Sequence, residues 1–342
     1  MDWKAMRSAA REKFRGACRV CPVCNGVACA GEVPGMGGIG TGAGFQNNVR
    51  ALAGYKLNLR TVHEAAEPRL ACRVLGMDLS MPVLGAAIAG TAMNMNVALT
   101  EEEYADIVVE GCRQAGTISM TGDGPKAEVF QAGLNVAARR DGKVIPIIKP
   151  RAVETIIEMA NRAAAAGCPA FGVDVDAAAL VNMTNAGQPV GPKSKQELAR
   201  IKRETSIPFI VKGIMTPEEA YDCYEAGVDA IVVSNHGGRA LDHTPGTAEV
   251  LPDISQAVKG RLTILADGGV RSGADVLKML ALGADAVLLG RPLTIGAVGG
   301  GIEGVAMTLE RIRAELRAAM VLTGTRDVAA VTRQVLYQGG RC

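Results

Sequence analysis

Eight short, nearly continuous apolar runs, rich in β-branched residues, recur between residues 82 and 292, each followed by a stretch with helical patterning. They are PVLGAAIA (82–89), TISMTG (117–122), KVIPIIK (143–149), CPAFGVDVD (168–176), PFIVKGI (208–214), AIVVSNHG (230–237), LTILADGG (262–269) and AVLLGRP (286–292). Strands covered on one face alternate apolar and polar residues, whereas strands buried on both faces read as continuous apolar runs. Helices fill the gaps, as in AVETIIEMANRAAAAG and SGADVLKMLALGA. In TPEEAYDCYEAG, Thr216 is placed to cap, Pro217 opens the first turn and Gly227 follows the end. Eight strand–helix units predict an α/β chain folded as a (β/α)8 barrel. A doubly wound open sheet would need a glycine-rich phosphate loop after its first strand, which AAIAGTAM (86–93) matches only in part.

Residues 1–64 lie outside this pattern and are expected to form an N-terminal Cys/Gly-rich extension packed on a barrel of residues 65–342. GEVPGMGGIGTGAG (31–44) is too rich in glycine for a helix or a central strand. Residues 48–62 are read as a short helix and strand leading into the barrel. A net charge of +2 and 3% aromatic residues give no electrostatic or stacking case for nucleic acid or an anionic membrane. No apolar run of the sequence approaches the ~18 residues of a transmembrane helix. A cytoplasmic, reducing location is expected, with the odd count of nine cysteines not forming a disulfide framework.

Barrel enzymes build their sites at the C-terminal ends of the strands, and the reactive side chains here collect there. The fourth run ends on Asp174 and Asp176, the fifth carries Lys212, and the sixth ends in SNHGGR with His236 and Arg239. The seventh and eighth end in DGGVRSG and GRP, the usual location of a barrel phosphate site. There Gly268, Gly269 and Gly290 admit close backbone approach to an anion, following helices can offer their N-termini, and Arg271 and Arg291 supply forked donors. Lys212 is a fixed cation for an anionic electron sink. Asp174 is expected to orient the His236 ring, and Arg239 to hold a substrate carboxylate.

IVVSNHGGRALD (231–242) and ADGGVRSGADVLKMLALGADAVLLGRP (266–292) closely resemble the FMN-dependent α-hydroxy-acid oxidases and dehydrogenases, such as glycolate oxidase and lactate oxidase. The likeness extends through IVKGI and, more weakly, through MPVLGAAIAGTAM, AGTISMTGDG and NNVRALAGYKLNLRTV. The resemblance implies a barrel that binds FMN and oxidises a 2-hydroxy carboxylic acid to the 2-oxo acid, two electrons passing to flavin N5 as hydride or by way of a carbanion. It implies that His236 is the base, paired with Asp174, that Arg239 binds the substrate carboxylate and that Lys212 sits near flavin N1 and O2. It implies further that Asp267, Gly268, Gly269, Arg271, Gly290 and Arg291 hold the ribityl phosphate, that Thr91 and Ala92 approach the flavin by backbone, and that Ser234 lines the site. A homo-oligomer is expected, and the electron acceptor stays open. Two other readings stand beside this one: an FMN-dependent isomerase resembling type 2 isopentenyl-diphosphate isomerase, and a flavin protein of altered activity.

The departures fall on the substrate side. The family's N-terminal tyrosine has no counterpart before GAGFQNN, Pro146 takes the approximate place of a second tyrosine, and DAAALVNMTN lacks the second substrate arginine. The region of the first tyrosine holds instead CRVCPVCNGVAC, with Cys18, Cys21, Cys24 and Cys29 spaced C-x2-C-x2-C-x4-C. Its first three thiols match the opening of a ferredoxin-type run, while the fourth spacing is one residue too long and no histidine lies near. An iron–sulfur cluster, a zinc ion and reduced thiols in a compact turn all remain open on this spacing.

Overall fold

A computed structural model describes residues 2–337; the last five residues of the expected barrel segment lie outside that range. Eight parallel strands close a barrel: β3 (Val83–Gly85), β4 (Ser119–Thr121), β5 (Val144–Ile148), β6 (Phe171–Asp174), β7 (Phe209–Ile214), β8 (Ala230–Val233), β9 (Thr263–Ala266) and β10 (Ala286–Leu289), with β10 pairing back to β3. Each lies within one of the eight apolar runs, in the same order. Both faces of these strands are buried, but in different company. Leu84, Met120, Ile145, Ile147, Ile210, Val232, Leu265 and Leu288 form one apolar cluster that fills the barrel. Their strand neighbours, among them Val83, Val144, Ile148, Val173, Val211, Ile231 and Val287, belong to the large cluster shared with the helices. The two-residue side-chain period thus survives as a choice of core rather than of core against solvent.

The sequence reading did not include the hairpin of β1 (Cys72–Val74) and β2 (Met77–Leu79), whose Val74 and Leu79 join the barrel-filling cluster. The surrounding helices include α3 (Glu101–Gln114), α8 (Pro217–Glu225), α9 (Thr247–Val258), α10 (Gly273–Leu282) and α11 (Arg291–Thr323). Thr216 caps α8 as expected, its hydroxyl accepting the Glu219 amide. By length and composition α11 could cross a membrane; it is broken at Gly301 and packs against α3, α10 and α1 (Trp3–Lys13), as a barrel helix does.

Within residues 1–64, α1 lies on α11 and α2 (Ala43–Gly54) lies on α9. The expected helix near residue 48 is α2, whereas the expected strand after it is reduced to a single bridge, Leu57 with Leu336. Residues 31–42 contain no helix or strand, and their carbonyl groups face the strand ends of the barrel.

Candidate active site

A cavity of about 960 Å³ opens at the C-terminal ends of the strands. Its wall carries Lys149 from the end of β5, Asp174 of β6, Lys212 of β7, His236 and Arg239 after β8, Asp267 after β9, and Arg291 after β10. The volume lies within the range of cofactor and substrate pockets.

His236 has a left-handed backbone (φ 58°), an uncommon conformation for a side-chain-bearing residue, and its amide donates to the Ser234 hydroxyl at 3.1 Å. Its Nδ1 is 2.9 Å from Asp176 Oδ1 but 3.9 Å from Asp174 Oδ2. The expected Asp174–His236 pair is therefore corrected: Asp176 holds the ring. Asp174 instead accepts a 2.6 Å hydrogen bond from the Lys149 ammonium, a buried pair in the cavity wall. β6 ends at Asp174, and a 3₁₀ turn over Val175–Ala177 then carries Asp176 back to the histidine. With the ring proton on Nδ1, as the facing carboxylate favours, Nε2 keeps its lone pair.

Lys212 Nζ is 3.6 Å from Asp176 Oδ2 and 3.5 Å from His236 Nδ1. Burial would lift the Asp176 carboxyl, but the Lys212 cation and His236 outweigh it and bring it to about 2. Burial, then Lys212, lowers the His236 pKa. Lys212 itself is buried, which favours its neutral form, yet Asp176, Asp267 and Asp174 together raise its pKa. Gly213, at φ +104°, sits where a Cβ would lie 2.5 Å from Asp176 Cγ. Gly213→Ala should push Asp176 off the ring, slowing turnover more than FMN binding and costing about 1–3 kcal/mol of stability. Turnover assays beside urea unfolding would read both effects.

Three guanidinium groups of the cavity wall have no carboxylate within ion-pair distance among the described residues. Arg239 donates to the Gly35 and Gly37 carbonyls and to Asn94 Oδ1 at 3.0 Å. Arg291 donates to the Met36, Gly37 and Gly237 carbonyls and lies 3.8 Å from the Phe45 ring centroid. Arg271 Nε is buried with no partner. Burial, reinforced by Arg271 and Arg239, pulls Arg291 down to about 9, and burial pulls Arg239 to about 10. Such cations are stabilised by an anion brought from outside.

Of the two expected helix N-termini, only one is open. At α10, Asp275 takes the Arg271 and Ser272 amides and Glu315 takes that of Gly273. At α11, Gly290 supplies no side-chain cap. Gly268 and Gly269 have left-handed backbones as an anion cradle requires, and a Cβ on either would also strike Asn48 of α2. An uncapped helix end, an unpartnered Arg271 Nε and an unpartnered Asp267 Oδ1 fit a phosphate with a polar ring system behind it. Arg271→Ala removes one charge-assisted bond and should weaken FMN binding by roughly 10- to 150-fold. Fluorescence titration of the apoprotein would measure it.

Other expected contacts need adjustment. Thr91 and Ala92 line the cavity, but the Thr91 amide and hydroxyl donate to Glu101 and its carbonyl accepts the Asn96 and Val97 amides. Ser234 is fully buried and absent from the cavity wall, so it acts on the site by receiving the His236 amide rather than by lining it. The sequence reading had not singled out Lys149, Asn94 and Asn182. Asn182 donates to Asn94 and keeps a buried, unpartnered Oδ1.

Fold and side chains define a (β/α)8 barrel whose strand-end cavity gathers a carboxylate-held histidine and three guanidinium groups. Residues 35–190 and 184–338 match the model of the family described as FMN-dependent dehydrogenase. The chain is 32% identical over 333 residues to 2-hydroxyacid oxidase 1 of Mus musculus, covering 85% of this chain and 87% of the relative. It is likewise 32% identical over 330 residues to L-lactate oxidase of Lactobacillus jensenii, covering 86% and 78% of the two chains. A crystal structure of mandelate oxidase with benzoyl-formic acid superposes with a TM-score of 0.79 at 28% identity, covering 98% of this chain and 97% of that one. The chain belongs to the FMN-dependent dehydrogenase family.

Proposed function

We propose that this protein oxidises a small 2-hydroxy carboxylic acid to the 2-oxo acid with FMN as its cofactor. The observation that carries the reading is the hydrogen bond between the cavity-lining His236 and Asp176, in a cavity also lined by Arg239, a guanidinium with no carboxylate partner among the described residues. Bound FMN supplies two-electron redox chemistry. Arg239 holds the substrate carboxylate, His236 Nε2 takes a proton from the substrate, and Asp176 stabilises the imidazolium that results. Lys212 places a positive charge beside that pair, and Arg271 and Arg291 hold the cofactor phosphate. Asn182 occupies the stretch where the family's second arginine was missing, and its free Oδ1 accepts a donor from the substrate. Mixing the FMN-loaded protein anaerobically with a panel of 2-hydroxy acids tests the reading. At least one should bleach the flavin, and failure of the whole panel would overturn the proposal.

The pH profile carries a sign. The base works only when His236 is neutral, and its pKa lies below the ordinary 6.5. The acid limb of kcat/KM should therefore have its midpoint below 6.5 and level off above it.

A further inference from the structure

We infer that Cys18, Cys21, Cys24 and Cys29 are the ligands of a four-iron, four-sulfide cluster seated beside the phosphate end of the cavity. The inference is independent of the substrate reading. All four cysteines line one small apolar cavity, closed on its far side by Met36, Phe45 and Arg291. All four are free thiols rather than disulfides.

The cysteine loop is held in place by groups with no other evident task. Arg7 donates to the Cys21 and Val20 carbonyls, Arg11 donates to the Arg19 carbonyl, and Arg19 forms a forked pair with Glu32. Two sulfurs already accept hydrogen bonds, Cys18 from the Val20 amide at 3.5 Å and Cys24 from Arg271 Nη2 at 3.7 Å. Donors to sulfur are the devices by which proteins tune such clusters. Four thiolates around a four-iron core carry net negative charge; Arg291 lines their cavity and Arg271 donates to Cys24, and neither guanidinium has a carboxylate partner among the described residues.

Zinc fits less well. A tetrahedral zinc–thiolate site has bonds of about 2.3 Å and so brings its sulfurs to about 3.8 Å from one another. Among the described residues, the one set of three such ligand atoms mutually within 4.8 Å is Asp174, Asp176 and His236, with no cysteine in it. The thiols share a cavity, but no three of them come within 4.8 Å of one another, so they are not gathered as a single zinc ion would gather them. The cavity wall contains no histidine to complete a mixed zinc set.

The full chain, expressed and purified without oxygen, should contain about four irons and four acid-labile sulfides per chain. After dithionite reduction it should show a paramagnetic resonance signal distinct from that of a flavin radical. Cys21→Ser and Cys24→Ser should each remove most of the iron and sulfide, while Cys72→Ser, outside the loop, keeps them. Circular dichroism distinguishes loss of ligands from loss of fold, and the wild-type metal count decides the matter even if both variants unfold. One zinc per chain, about two irons per chain, or four alkylatable or disulfide-linked cysteines without metal would each overturn the inference.

Discussion

His236→Gln should keep FMN bound and lower the rate of flavin bleaching by 2-hydroxy acid by roughly 10²- to 10⁴-fold, the span that a positioned base contributes. Glutamine fills similar space and can still donate to Asp176, so the cavity wall and the phosphate end stay intact. It has no basic nitrogen to take the substrate proton. The measurement is stopped-flow bleaching at saturating substrate, with FMN content checked by absorbance. Unchanged bleaching would remove His236 from the reaction and leave the fold and the cofactor site standing.

The two carboxylates near His236 should separate in their effect on turnover. Asp176→Asn loses the charge that steadies the imidazolium, and the new amide can present the wrong group to Nδ1. A fall in kcat on the order of 10²- to 10⁴-fold is expected, with some loss of stability because buried Lys212 loses a counter-charge 3.6 Å away. The acid limb should move to still lower pH, since Asp176 is the group that raises the histidine's pKa against burial and Lys212. Asp174→Asn acts elsewhere. It leaves the Lys149 ammonium, 2.6 Å away and buried, without its counter-charge, and breaking a buried pair costs about 3–5 kcal/mol. Urea unfolding should therefore respond to both variants, while bleaching kinetics fall steeply only for Asp176→Asn. The reverse pattern would restore Asp174 as the histidine's partner.

The barrel was legible because its strands are buried twice over, which writes eight unbroken apolar runs into the chain. The hairpin of β1 and β2 was not, since three-residue strands around Gly76 are too short to show a period. Lys212, His236 and Arg239 could be placed from their positions at strand ends. Choosing between Asp174 and Asp176 required knowing that the strand stops at Asp174; strand alternation says nothing about a residue in the turn that follows. The Lys149–Asp174 pair joins neighbouring strand ends, a register the sequence does not carry. By contrast, the closed N-terminus of α10 was readable: Ser272 and Asp275 have capping-box spacing, which marks a helix that satisfies its own first amides.

The carbonyls of Gly35, Met36 and Gly37 are held by Arg239 and Arg291, residues made 204 and 255 positions later in the pairs Gly35–Arg239 and Met36–Arg291. At about 5–20 residues per second, the glycine loop leaves the ribosome some ten to fifty seconds before those partners exist. The catalytic face is therefore among the last parts of the molecule that can be assembled. During that interval the cysteines just upstream have neither Arg271 nor Arg291 beside them. Nascent chains arrested before Arg239 should expose those thiols to alkylation that the finished protein resists.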